Sequence, residues 1–183
     1  VVLTLASRPV LAWHCKSPSA WGSEQINPNT SLATNGAHPT YVDETWTIAN
    51  WKLNSDPNRA GLGRPWYRFD TKFTGSDTTY RNQTINYLKT TKSVPLALPT
   101  GVTLDQKVYK GLRGDLGWST CAKYMIVAQL NRHLLAAGTW DPQCVTEQEL
   151  TDMVNGVYPT ATAPWSQDKI VSYLNNNWIV RTS

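Results

Sequence analysis

The sequence predicts an α+β fold divided unequally along the chain. An irregular, aromatic-rich β/loop region covers residues 13–100, and a helical region covers residues 101–183. Short alternating aromatic segments and turn residues dominate the first region, whereas helix caps and 3.6-residue apolar spacing dominate the second. An apolar extended segment, residues 1–12, precedes both. Because a chain of 183 residues can bury a sizeable core, we expect residues 13–183 to form one globular domain.

The N-terminal segment, residues 1–12, is apolar and nearly uncharged. Alternate residues at its start share one face of an extended chain, and Pro9 limits any strand because proline has no N–H for a ladder. Apolar side chains gain free energy when they leave water, so the segment is expected to pack in its own domain or on a neighbouring molecule. A third interpretation is the core of a signal peptide. For packing on a neighbour, the predicted assembly interface is Val1, Val2, Leu3, Leu5, Val10 and Leu11.

The β/loop region carries its clearest strand pattern at residues 66–73. Tyr67, Phe69 and Phe73 fall on one face there, as in a half-buried strand. Residues 44–48 and 83–88 predict two further short strands. Residues 22–40 are rich in Asn, Pro, Ser, Thr and Gly and predict a loop.

The helical region shows several start and stop signals. Thr103 is predicted to cap a short helix that stops at Gly111, and Thr146 with Glu149 forms a capping box. Ser166 is predicted to cap the last helix. The expected helices cover about residues 103–110, 119–137, 146–156 and 166–175, and the apolar tail 178–180 has strand character.

Charge is distributed unevenly over a chain whose formal net charge is +4. Residues 51–123 hold twelve Lys or Arg and five Asp or Glu, whereas residues 141–168 hold five acidic residues and no basic one. The basic residues are scattered singly, which does not fit the clustered basic surface of a nucleic-acid-binding domain. The opposed charges instead fit complementary surfaces for head-to-tail contacts between copies.

Three cysteines, Cys15, Cys121 and Cys144, offer one disulfide and one free thiol. A helix starting at Cys121 would be about 25 Å long, so Cys144 would have to return along its length to reach Cys121. This favours Cys15 paired with Cys121 or Cys144, with three reduced thiols as the alternative. The lack of a C-x-x-C pair argues against a zinc or thioredoxin-like site.

Other sequence features limit the classes of function. No stretch approaches the roughly 20 apolar residues of a membrane helix, and Asn29 and Asn82 begin N-glycosylation sequons. His14, His38 and His133 lack the spacing of metal ligands. The sequence therefore predicts no catalytic residue, no metal and no cofactor. A cysteine or glycoside hydrolase is the weakest of the alternatives.

Nine Trp and eight Tyr, against two Phe, make the aromatic composition unusual. Trp and Tyr combine a large apolar ring with a hydrogen-bonding group, which suits sugar-facing surfaces as well as cores. Trp46, Trp51, Trp66 and Tyr67 lie in the β/loop region and are candidates for either role.

Residues 13–21, WHCKSPSAW, resemble the Trp-Lys-Asn-His-Pro-x-Ala-Trp signature of a group of secreted bacterial proteins without an assigned activity. Ser17 stands where that signature has His. Those proteins also carry a short helix followed by a helix with an Ala-x-Leu-Asn run, to which residues 103–137 are similar. The resemblance implies an extracellular structural module without catalytic residues. The residues that carry it are Trp13, Pro18, Ala20, Trp21, Leu130 and Asn131.

Together these features predict an extracellular structural subunit that assembles with copies of itself into a fibre or surface layer. The expected contact is strand-like insertion of residues 1–12 into a neighbouring subunit. The alternative is a monomeric secreted domain that binds carbohydrate or acts as an adhesin, with glycans as its partners.

Overall fold

The computed structural model describes residues 15–26, 45–57, 62–135 and 144–181. In these ranges the chain is helical. The α-helices are α1 (Pro18–Ile26), α2 (Ile48–Leu53), α3 (Val108–Arg113), α4 (Thr120–Leu135), α5 (Glu147–Val154) and α6 (Gln167–Asn176). Two 3₁₀ turns, Trp66–Arg68 and Thr79–Asn82, and a π-helical turn, Tyr87–Thr91, lie between α2 and α3.

The predicted α+β class is wrong, because the described residues contain no strand or sheet. Their extended pairing is limited to an isolated antiparallel bridge between Thr84 and Lys107. The segment that was expected to form the clearest strand instead forms a 3₁₀ turn and irregular turns. Trp66 and Phe73 are fully buried and Phe69 packs against the core. Their spacing of three and four residues belongs to helical turns rather than to a strand.

Two further strand predictions fail in the same way. Residues 83–88 contribute the Thr84 bridge and then enter the π-helical turn. The tail 178–180 is buried but adopts turns, with Trp178 at a φ of 56°. The predicted 44–48 strand also fails where it is described, because Thr47 caps α2 and Ile48 begins it. Residues 22–26 of the predicted loop belong to α1. Residues 1–14, 27–40 and 44 lie outside the described residues.

Helix α4 is the centre of the described fold. Helices α5 and α6 pack directly on α4. Helix α2 also packs on α4, and α2 in turn contacts α3, which packs on the 79–82 turn. Eleven of the sixteen residues of α4 are buried, and ten of these lie between Cys121 and Asn131, where only Lys123 is half-buried. It is therefore a core helix, and its burial extends beyond the single inner face that its apolar spacing predicted.

In the last third of the chain, two of the predicted N-terminal helix caps are confirmed. Thr146 and Glu149 form the predicted capping box, and the Ser166 hydroxyl accepts the amide hydrogen of Lys169. The short helix α3 differs from its prediction. It begins at Val108, and Gly114 at a φ of 98° ends it, while Thr103 donates its hydroxyl to Asp105 instead of capping a helix.

Candidate functional site

The N-terminal segment joins the described domain at Cys15, which is disulfide-bonded to Cys144. Their Cα atoms are 5.7 Å apart, and 129 positions separate them in sequence. Of the two partners that the sequence left open for Cys15, the structure therefore has Cys144, directly before α5. Cys121 is a free, buried thiol in α4.

The backbone of the next residue, Lys16, is fixed by α6 and its C-terminal cap. The Lys16 N–H donates to Asn177 Oδ1 at 2.9 Å, and the Tyr173 hydroxyl donates to the Lys16 carbonyl at 2.6 Å. Burial raises the pKa of Tyr173, so its hydroxyl remains a protonated donor across the physiological range. Both backbone polar groups of Lys16 are thereby held in place.

The Lys16 side chain adds a shielded ion pair to this site. Its Nζ lies 2.7 Å and 2.9 Å from the two carboxylate oxygens of Glu24 in α1. The Glu24 side chain is only 4% exposed, and a shielded pair of this kind is screened less by salt than a surface pair. We call Cys15, Lys16, Glu24, Cys144, Tyr173 and Asn177 the anchor site.

Helix α1 extends the anchor site with aromatic packing. Pro18 occupies the first helical position, where its missing N–H costs nothing, and the Ser17 hydroxyl accepts the amide hydrogen of Ala20. Trp21 packs edge-on against Tyr173 and Trp165, with ring centroids 5.5 Å and 5.6 Å apart. The helix is therefore docked directly on the element that holds Lys16.

The residues of the WHCKSPSAW resemblance are structural where the structure describes them. Pro18 and Trp21 are buried and Ala20 is half-buried in α1, whereas Leu130 and Asn131 are fully buried in α4. Trp13 lies outside the described residues, as do the predicted interface residues Val1, Val2, Leu3, Leu5, Val10 and Leu11, and the sequon residue Asn29. Asn82 is exposed at the end of its 3₁₀ turn.

Beside the anchor site's aromatic neighbours lies a cleft between α4, α5 and α6, with a volume of about 180 Å³. Met125, Met153 and Ile170 lie at its floor, while Thr100 and Asn155 stand exposed at its rim, and polar groups make up the larger part of its accessible lining. The apolar side chains at the floor can contact the end of one apolar group. The volume exceeds the roughly 150 Å³ of an engineered cavity that binds benzene, so one leucine-sized side chain fits. We call this the helix cleft.

The tryptophans that the sequence offered as sugar platforms are core residues. Trp46, Trp51 and Trp66 are each 0% exposed. Their indole N–H groups donate to Gly63 O, Asn131 Oδ1 and Trp51 O at 2.8, 2.8 and 2.9 Å. Because both the ring faces and the polar groups are occupied, these residues offer nothing for a sugar to stack on. Tyr67 is the exposed member of the set.

Among the described residues, Cys121 and His133 are the thiol and imidazole groups that could serve a cysteine hydrolase. Burial raises the pKa of the Cys121 thiol to about 11, so it stays protonated and is a poor nucleophile near neutral pH. His133 is half-buried and stacks on Phe69 with centroids 6.5 Å apart. A cavity of about 60 Å³ between His133 and Glu147 has room for about two waters. Within the described ranges, no three His, Cys, Asp or Glu side chains are grouped to hold a metal ion.

Two contacts of the anchor site, those of Tyr173 and Asn177, had no signal in the sequence. They lie 157 and 161 positions from Lys16, and no local pattern predicts a pairing at that distance. Among the described helices, none combines the length and the apolar character needed to cross a membrane. Comparison with family models, curated proteins and solved structures finds no match to this chain.

Proposed function

We propose that this protein is an extracellular structural subunit that assembles with copies of itself, with residues 1–12 of one copy packed into the helix cleft of the next. The observation that carries the proposal is the anchor site. A disulfide and two backbone hydrogen bonds fix Cys15 and Lys16 at the point where the apolar segment joins the domain. Load on the segment would pass directly into α5 and α6.

The disulfide also supports an extracellular location. Structural disulfides form and persist in oxidising environments and are rare in the cytosol. Cys15 is 5% exposed and Cys144 is half-buried against the core, so the bond is partly shielded from solvent. This arrangement favours a protein that works outside the cell.

The fold changes the expected mode of insertion. Strand addition needs a sheet edge, and the described residues offer none. The helix cleft offers instead a pocket for side chains. In an extended segment, alternate residues lie on one side about 6.6–6.8 Å apart, so Val1, Leu3 and Leu5 present a row of apolar side chains to such a pocket.

The segment is long enough for this contact, and burial of its apolar side chains favours it. The 14 residues before Cys15 span up to about 46–50 Å when extended, which is enough to reach a neighbouring copy. Each large apolar side chain that leaves water contributes about 1.5–3 kcal/mol. Burial of one such anchor in the helix cleft therefore contributes to association, and fixing the base of the segment lowers the entropy cost of ordering it.

Deletion of residues 1–12 tests the proposal, with association measured by sedimentation velocity and negative-stain microscopy. We expect the full chain to form polymers and the deleted chain, which keeps Cys15, to remain monomeric with an unchanged far-UV circular dichroism spectrum. Because the deleted chain keeps its helix cleft, it should also cap growing ends and shorten the polymers when it is added to the full chain.

Matched point variants separate the segment from the cleft. Leu3→Ser with Leu5→Ser should abolish polymers, whereas Thr4→Ala with Ser7→Ala should not. At the cleft, Thr100→Arg should block the rim, and Thr71→Arg at another exposed threonine serves as its control. Polymers from the deleted chain would overturn the proposal. A full chain that stays monomeric and changes its tryptophan fluorescence with glycans would support the carbohydrate-binding alternative instead.

A further inference from the structure

Two exposed arginines meet over one tyrosine ring, where the 79–82 turn packs on α3. The guanidinium carbons of Arg81 and Arg113 lie 5.0 Å and 4.9 Å from the centroid of the Tyr109 ring. A guanidinium group over an aromatic ring is favourable. Arg113 also donates to the Tyr109 hydroxyl at 3.3 Å. The ring therefore holds two guanidinium groups on one surface.

Two lysines belong to the same surface. Lys107 Nζ lies 3.4 Å from Asn82 Oδ1, at the end of the 79–82 turn. The charge of Lys110 acts on Asp115, the carboxylate that pairs with Arg113. The sequence scatters these cations singly, and the fold brings them together. We call the whole group the basic face: Arg81, Lys107, Tyr109, Lys110 and Arg113.

The positive charge of the basic face is only partly compensated. Asp115 pairs with Arg113, whose hydrogen bond, with the charge of Lys110, lowers the pKa of Asp115 so that it stays ionised. Among the described residues, no carboxylate forms a salt bridge with the other three cations. Asp77 and Asp105, on the adjoining loops, accept hydrogen bonds from threonine hydroxyls. The basic face therefore keeps an excess of positive charge toward solvent.

The surroundings of Tyr109 limit the kind of anion that fits the basic face. Proteins that bind single-stranded nucleic acid offer aromatic rings on which the bases stack. The Tyr109 ring instead carries two guanidinium groups, and the Tyr80 ring packs edge-on against it at 6.2 Å. Duplex DNA is read by an element that enters a groove, whereas α3 is a six-residue helix packed on α2 and the 79–82 turn. The basic face thus suits charge pairing better than base recognition.

Carboxylates on a sugar chain match this arrangement. A guanidinium group forms two parallel hydrogen bonds with one carboxylate, so two guanidinium groups on one surface can bind two carboxylates of the same chain. A polymer of uronic acid carries a carboxylate on each sugar, and its hydroxyl groups can accept hydrogen bonds from the lysines. Such polymers lie outside cells, the location that the disulfide favours.

We propose that the basic face binds an acidic polysaccharide, a chain of uronic acid residues whose carboxylates pair with Arg81 and Arg113. This inference goes beyond the proposed self-assembly and does not require it. In an assembly the basic face would repeat on every subunit, and many weak contacts would then act together on one polysaccharide chain.

Binding to polygalacturonate, measured by biolayer interferometry on the full chain, tests this inference. Methyl-esterified polygalacturonate should bind at least about tenfold more weakly, because the ester removes the charge that the guanidinium groups pair with. Arg81→Gln with Arg113→Gln should weaken binding to polygalacturonate by a similar factor and leave the far-UV circular dichroism unchanged. The control, Lys72→Gln with Lys92→Gln, removes two cations that lie over other aromatic rings at 5.1 Å and 5.8 Å, and should leave binding nearly unchanged.

The rival outcomes are separated by further probes. Salt should weaken binding, because exposed charges are screened within about 10 Å at 0.1 M. Equally tight binding to single-stranded DNA, polyglutamate or phosphatidylserine vesicles would overturn the inference, as would unchanged binding in the arginine variant. Loss of binding on deletion of residues 1–12 but not in the arginine variant would place the polysaccharide on the N-terminal segment instead. Polymers that do not bind polygalacturonate refute this inference alone, whereas a monomeric full chain that binds it refutes only the proposed self-assembly.

Discussion

The aromatic region, described at residues 45–57 and 62–99, and the helical region, described at 108–135 and 144–181, satisfy their backbones in different ways. In the helical region the backbone groups of each helix bond locally, and local caps such as those of Thr146 and Ser166 complete the ends. In the aromatic region, side chains take over this task. Asn54 accepts from the Trp66 N–H at 3.1 Å and donates to the Phe73 carbonyl at 3.1 Å.

Helix α4 supplies the amides that connect the two regions. Gln129 accepts from the Ala97 N–H at 2.7 Å and donates to the Ala97 carbonyl at 3.0 Å. Asn131, which is fully buried, accepts from the Trp51 indole and donates to the carbonyls of Trp46 and Ile179 at 2.8 and 2.9 Å. The comparison shows that the irregular aromatic region depends on a few polar side chains that are distant in sequence. Loss of one of them is expected to lower the stability of the fold strongly.

The largest expected effect comes from Asn131→Leu. The substitution leaves the Trp51 indole and two buried carbonyls without partners, and each buried unsatisfied group costs about 1–3 kcal/mol. We expect the free energy of unfolding to fall by about 3–5 kcal/mol in urea titrations followed by tryptophan fluorescence. Asn86→Leu, at an exposed asparagine, should change it by less than about 0.5 kcal/mol. Equal effects would contradict the dependence of the aromatic region on α4.

A second test concerns a close approach inside the helical region, at Gly111. A Cβ added there would lie 2.4 Å from atoms of the Trp118 ring. Helix propensity favours alanine over glycine by about 1 kcal/mol, but the overlap forces the ring or the helix to move. We expect Gly111→Ala to destabilise the protein by about 1–3 kcal/mol in thermal and urea unfolding. Ser172→Ala, exposed in α6, is the control. A stabilised Gly111→Ala variant would mean that Trp118 repacks freely.

The smallest expected effect compares two capping boxes of the same kind, one in each region. Thr47 with Asn50 caps α2 in the aromatic region, and Thr146 with Glu149 caps α5. Replacement of a threonine cap by alanine costs about 0.5–2 kcal/mol. Because Thr47 is 7% exposed and Thr146 is exposed, we expect about 2 kcal/mol for Thr47→Ala and about 1 kcal/mol for Thr146→Ala. The urea unfolding midpoints of the two variants, measured side by side, test this prediction. A larger loss of stability for Thr146→Ala than for Thr47→Ala would contradict the distinction between the regions.

The sequence by itself determined what depends on neighbours within four residues. The capping box at Thr146, the cap at Ser166 and the approximate extent of α4 follow from spacing, because a helix satisfies its own backbone locally. A local pattern of the same kind gave a wrong strand prediction for residues 66–73. An alternation of eight residues forms a strand only if another strand lies beside it, and the described chain supplies no such partner.

Only the tertiary structure determined the contacts of the anchor site and the burial of the three tryptophans. The sequence left Cys15 with two partners, and the packing of α6 against Lys16 accompanies the choice of Cys144. Trp46, Trp51 and Trp66 could have faced sugars or the core, and they became core residues because Gly63, Asn131 and Trp51 offer acceptors for their N–H groups. These outcomes depend on groups that lie up to 161 positions apart. Only the folded chain brings such groups within hydrogen-bond distance.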